Sequence, residues 1–83
     1  MKDDKQNQQD KEILTKLIYE QFQTLNLNKE QYSRLINRSI PSIDRDRALS
    51  RGANYIKDGQ NRVYYPINSV VNYILDVNLT LNA

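Results

Sequence analysis

Pro41 constrains this chain most, because it stands between two stretches that both read as helix. Its ring fixes φ and removes an N–H, and it pushes Ile40 before it out of the α region, so no single helix can run through this point. On the N-terminal side, Asn28 is followed three residues later by Gln31, the spacing at which two side chains satisfy each other's neighbouring backbone N–H groups. Leu27 and Tyr32 flank that cap at the spacing of a hydrophobic staple. A first helix is expected from Lys29 to about Asn37. On the other side, Ser39 can cap a second helix, Pro41 is pre-set for its first turn, and Gly52 can close it in the left-handed conformation. The expectation is a second helix from about Pro41 to Arg51.

Beyond Gly52 two β-prone runs, Asn54 to Lys57 and Arg62 to Pro66, flank a glycine-bearing turn, which signals a hairpin. Asn68 can then cap a short amphipathic helix with Val70, Val71 and Ile74 on one side. Helix, turn, helix, hairpin and packing helix is the element order of a winged helix-turn-helix. The expected fold class is mostly α with a small β-hairpin wing.

The run Leu27 to Ile74 resembles the DNA-binding domain of the excisionase and AlpA-type phage regulators, a branch related to the winged domain of the MerR family. Three features carry the resemblance: a short first helix ending near Asn37; Ser39 and Pro41-Ser-Ile43 followed by an arginine-rich helix to Gly52; and Tyr55-Ile-Lys57 with Gly59, Arg62, Val63, Tyr65 and Pro66 leading into Val70, Tyr73 and Ile74. Many relatives have glycine where this chain has Asn37, and an aromatic residue in the second helix, which here has none. The resemblance implies a small regulator from a phage, plasmid or mobile element, working in transcription regulation or as an excisionase that bends DNA.

Charge points the same way. All six arginines lie between Arg34 and Arg62; with Lys57 they face only Asp44, Asp46 and Asp58, a net of +4 for the segment against +2 for the whole chain. Guanidinium suits bidentate contacts to phosphate and to guanine edges. The bland alternative is a solvated helix face laced by Asp–Arg pairs in Asp44-Arg45-Asp46-Arg47.

The expected DNA-contacting residues are Arg38, Ser39, Ser42, Arg45, Asp46, Arg47 and Arg51 around the second helix, with Ser42, Arg45 and Asp46 nearest base edges. Lys57, Gln60, Asn61 and Arg62 belong to the wing, on the backbone or in the minor groove. The alternative is a protein-interaction module, an adaptor or anti-repressor, that keeps the winged fold without reading DNA.

Catalysis is the weakest class. The chain has no His, no Cys and only two glycines, so it lacks an acid–base group tuned near neutral pH, a thiol nucleophile and a glycine-rich phosphate loop. No cofactor, metal or small-molecule substrate is expected. Disulfides and the usual zinc ligands are ruled out by the same composition, which leaves oligomerisation as the support for a domain this small. No apolar run reaches the length of a membrane span or a signal-peptide core, so a cytoplasmic location without membrane contact is expected.

Around the winged domain, residues 27–76, three flanking segments are expected. Residues 1–10 are polar without periodicity and read as a disordered tail. Residues 11–26 read as an additional amphipathic helix, with Ile13, Leu14, Leu17, Ile18, Phe22 and Leu25 on one side. Residues 77–83 alternate apolar and polar as a C-terminal arm. The helix either covers the domain's own core or pairs with a second copy through Leu14, Leu17, Ile18 and Phe22. A homodimer or an array along DNA would follow from the second option.

Overall fold

Asn28 caps the first of the two central helices as its spacing predicts. In the computed structural model, which describes residues 4–59 and 62–77, its side chain accepts from the Gln31 N–H at 2.8 Å, and the Gln31 side chain accepts from the Asn28 N–H at 2.9 Å. Leu27 and Tyr32, the staple pair, are both buried in one apolar cluster. This helix, α2, spans Lys29–Ile36 and ends on Asn37, which adopts the left-handed conformation at φ 59. Asparagine does what glycine does elsewhere at such turns, because its short polar side chain tolerates positive φ better than most.

The next helix, α3, spans Ile40–Ala48, with Ser39 as N-cap accepting from the Ser42 N–H and Pro41 in the first turn. Its end departs from expectation. The Arg51 N–H reaches the Asp46 carbonyl at 2.7 Å and the Ser50 N–H reaches the Arg47 carbonyl at 3.1 Å, which is a Schellman closure with Ser50 in the left-handed position at φ 58. Gly52, at φ 90, turns the chain just afterwards rather than capping the helix.

The remaining elements follow in chain order around this pair. Helix α1 spans Asp4–Phe22 and precedes strand β1, Asn26–Asn28; strands β2, Ile56–Asp58, and β3, Arg62–Pro66, form the hairpin; helix α4 spans Ile67–Val77. The three strands make one antiparallel sheet in the order β1-β3-β2. Leu27 pairs with Tyr65 on one side of β3, and Lys57 pairs with Val63 on the other. Four helices and a three-stranded antiparallel sheet make the described chain a small, mostly helical unit compatible with a helix-turn-helix plus wing.

Several boundaries differ from the sequence reading. The first helix starts at Asp4, so residues 4–10 are helical and not a disordered tail. Lys and Gln are good helix formers, and the Gln8 side chain donates to Glu12 one turn on at 3.3 Å, so a polar stretch can extend a helix nucleated by packing further along. The same helix stops at Phe22, where Gln23 takes φ 57, so Leu25 lies beyond it and is exposed. Helix α4 begins at Ile67 rather than after an Asn68 cap, because the Ile67 N–H is bonded to the Leu25 carbonyl at 2.9 Å. Gln60 and Asn61, expected in the wing, residues 1–3 and residues 78–83 of the expected C-terminal arm lie outside the described residues.

Helix α1 is not an appendage to a separate domain. Leu14 and Ile18 are buried in the same cluster as Leu27, Leu35, Tyr65, Val70 and Val71, and Phe22 packs against it. Each fully buried side chain of this kind is worth about 1.5–3 kcal/mol relative to exposure.

Tyr32 and Tyr65 stack at the centre, with ring centroids 3.9 Å apart and planes at 16°. Tyr32 Oη accepts from the Ala53 N–H at 3.3 Å, which ties the loop after α3 to α2. Burial pushes the Tyr32 hydroxyl from the ordinary 10.0 up to about 12. The unfolded tyrosine ionises as pH passes 10 while the folded one resists until about 12, so this stabilisation is whole below pH 10 and is lost as pH climbs between those values. The loss amounts to about 3 kcal/mol at its end. Chemical denaturation in that window should show wild type losing more stability than Tyr32→Phe. Equal losses in the two proteins would remove Tyr32 as the cause.

Candidate nucleic-acid interface

Two sides of α3 have opposite fates. Ile43 and Asp46 are buried and Arg47 is half-buried, whereas Pro41, Arg45, Ala48 and Leu49 are exposed. At 3.6 residues per turn these four, with Ser42, fall on one outward face that has Arg45 near its middle. Among the described residues, the Arg45 guanidinium has no hydrogen bond or ion pair. It is the only arginine on that face.

Three other arginines of the segment, Arg38, Arg47 and Arg51, are engaged by aspartates. Asp46, only 8% exposed, receives Arg38 Nη1 on Oδ2 at 2.6 Å and Arg51 Nη2 on Oδ1 at 3.4 Å. The expectation that Asp46 reads a base edge fails on this point, since its carboxylate is buried and both oxygens are occupied. Asp44 receives Arg47 at 2.8 Å and Lys29 at 3.3 Å. The hydrogen bond from Arg47 holds the Asp44 carboxyl below its ordinary value, helped by Lys29.

Arg47 is likewise a structural residue more than a free cation. Its guanidinium donates to Tyr65 Oη at 3.3 Å and lies 5.6 Å from the centre of the Tyr55 ring. Burial works against its charge, but the Tyr65 hydroxyl and the Asp44 carboxylate outweigh that cost and raise its pKa. Burial also raises the Tyr65 hydroxyl, against the pull of Arg47. Through Lys29, Asp44, Arg47 and Tyr65 the start of α2, the body of α3 and the centre of the sheet are linked by charge and hydrogen bonds.

Ser39 is the N-cap, and its hydroxyl donates to Ser42 Oγ at 3.1 Å, so these two serines close the start of α3. Arg38 sits at the turn between the helices, where Ser33 Oγ donates to its carbonyl. With Ser33, Arg34, Asn37 and Ser39 it lines a shallow, mostly polar groove. Lys57 and Arg62 are exposed on the hairpin, with no side-chain partner among the described residues. The structure therefore places Arg38, Ser39 and Ser42 at the start of α3 and Arg45 on its outward face, and it keeps Lys57 and Arg62 apart on the hairpin.

Sequence reasoning missed Lys29, which is fifteen residues from Asp44 and carries no local signal of that contact. It also missed that Asp46 pairs with Arg38 and Arg51 rather than with its neighbours Arg45 and Arg47. Of the four residues expected at a dimer contact, Leu14 and Ile18 are buried in the chain's own core, Phe22 packs on that core, and only Leu17, 54% exposed, is available to a partner.

Among the described residues no helix is long and apolar enough to cross a membrane, and no cluster of three or more acidic, His or Cys side chains is placed to hold a metal. The chain matches no known protein family, no curated protein and no solved structure.

Proposed function

We propose that this chain is a winged helix-turn-helix protein that binds duplex DNA sequence-specifically, with α3 in the major groove and the β2–β3 hairpin as wing on the backbone or in the minor groove. Its class is that of a small regulator of phage, plasmid or mobile-element type, acting in transcription or as an excisionase, and a homodimer or array is its working form. The observation that carries the reading is the outward face of α3. Arg45 stands there unpaired, while the other side of the helix is locked to the fold by Asp44 and Asp46. A recognition helix needs such a division, since the side chains that read bases must be unspent and the helix that presents them must be held.

Binding-site selection with purified protein on random duplex DNA tests this, followed by a salt titration on the selected duplex. Affinity should fall steeply with salt, as it does when several phosphates release counterions. Failure to enrich any sequence, together with salt-insensitive or absent DNA binding, would favour the second reading. That reading is a protein-interaction module, and exposed Ile13, Leu17, Tyr19 and Leu25 support it.

The wing supplies a further expected result. Arg62→Ala should weaken binding to all duplexes alike and lower the salt slope by about one, because Arg62 is exposed at the start of β3 and has no partner among the described residues. Affinity and slope both unchanged would take the hairpin out of the interface.

A further inference from the structure

We infer that Asp46 is a positioning residue that presets Arg38 and Arg51 as a two-armed grip for one stretch of phosphate backbone beside α3. The inference rests on the DNA-binding reading and assigns a role to a buried acidic side chain in the middle of a basic segment. Asp46 is 8% exposed. Its two carboxylate oxygens each hold one guanidinium, Arg38 at 2.6 Å and Arg51 at 3.4 Å. The two arginines come from opposite ends of α3 in sequence, one before the helix and one after it. One carboxylate brings their tips together.

The contact is not needed to close the helix. Ser39 caps the start, and the Ser50 and Arg51 N–H groups close the end through the backbone. Each guanidinium carries five N–H donors and spends one of them on Asp46; neither makes another side-chain hydrogen bond among the described residues. Their side chains are 38% and 62% exposed, so the two remain accessible while tethered. Two guanidiniums and one carboxylate leave one net positive charge, the complement of a single backbone phosphate, and planar N–H pairs match phosphate oxygens. Holding both arginines in advance removes much of the rotamer entropy that binding would otherwise cost. Phosphate contacts of this kind fix the register of α3 on the duplex, so the preferred sequence benefits most.

The test measures Asp46→Asn on the selected duplex and on a random-sequence duplex, with thermal unfolding as the control for folding. Affinity for the selected duplex should drop about tenfold, the effect of freeing two long side chains that binding must then order. The ratio of selected to random affinity should drop with it. In an Arg38→Gln, Arg51→Gln background, Asp46→Asn should cause no further loss, which a purely structural role would not predict. Tighter binding to both duplexes would mean that Asp46 only repels DNA, and unchanged affinity, or a loss that persists without the arginines, would equally overturn the grip. Should Asp46→Asn unfold, the two arginine variants still decide: a shared grip requires the double loss to be smaller than the product of the single losses, and independent losses overturn it. Wild-type protein that binds neither duplex would instead overturn the DNA-binding reading itself.

Discussion

Arg45→Ala is expected to weaken binding to the preferred duplex by roughly 10- to 100-fold while leaving random duplex nearly unaffected, the effect of removing about 1–3 kcal/mol of base discrimination. The size follows from geometry on both sides of the contact. A guanidinium can donate two parallel hydrogen bonds to a guanine edge, and a wrong base leaves those donors unpaired in a desolvated groove. Within the protein little is lost, because the Arg45 side chain is exposed and makes no hydrogen bond, ion pair or ring contact among the described residues. Thermal stability should therefore stay within about 0.5 kcal/mol of wild type. Arg47→Ala is the useful contrast, since it strands the Tyr65 hydroxyl and half of the Asp44 pair, and it should destabilise the fold by about 1–3 kcal/mol. Equal losses for Arg45→Ala on selected and random duplexes would reduce Arg45 to a phosphate contact.

That contrast also marks how far the sequence could be read. Local signals were reliable where a few adjacent residues decide the structure. The Asn28–Gln31 box and the Ser39 cap act within one turn and appear as expected, but the break falls at Asn37 to Ser39: Ile40 is already helical, so Pro41 does not hold the residue before it out of the α region as its ring predicts. Strand β1 was invisible for the opposite reason. Asn26-Leu27-Asn28 has the composition of a turn, and it becomes a strand only because β3, far along the chain, supplies its hydrogen bonds. The sequence points to Gly52 as the end of α3, but Ser50 also takes positive φ, and backbone bonds to Asp46 and Arg47, not glycine content, decide that Ser50 closes the helix.

The candidate interface shows the same limit. Arginine content was plain in the sequence, but which arginines remain unspent depends on partners many residues away. Adjacent residues on a helix point in different directions, so the alternating Asp44-Arg45-Asp46-Arg47 could not pair neighbour with neighbour along it. Asp46 instead takes Arg38 and Arg51, and Asp44 takes Lys29 together with Arg47 one turn on. Arg45 is left unpaired by that allocation, which only the folded arrangement of α2 and α3 determines.

Helix α1 gives the largest expected effect on stability and at the same time decides the question of self-association. Ile18 is 1% exposed at the centre of the core, so Ile18→Ala removes packed methyl groups where the surroundings have little room to collapse, at a cost of about 2–5 kcal/mol. That is a large share of the roughly 5–15 kcal/mol that holds a domain together, and the chain has no cysteine for a disulfide and, among the described residues, no acidic, His or Cys cluster placed to hold a metal. A pronounced drop in unfolding temperature, or loss of the cooperative transition, is the expected result. Ile13 and Leu17 lie one turn apart on the same helix but are 59% and 54% exposed. Changing both to Ser should leave the unfolding temperature nearly as it was, because no packed cavity is created. If α1 also joins two copies, the same double change should convert a sedimenting dimer to a monomer and weaken DNA binding, since two modules bury about twice the surface of one. Wild-type protein that sediments as a monomer well above micromolar concentration would assign α1 wholly to its own core, and an Ile18→Ala protein as stable as wild type would show that the helix is not part of that core.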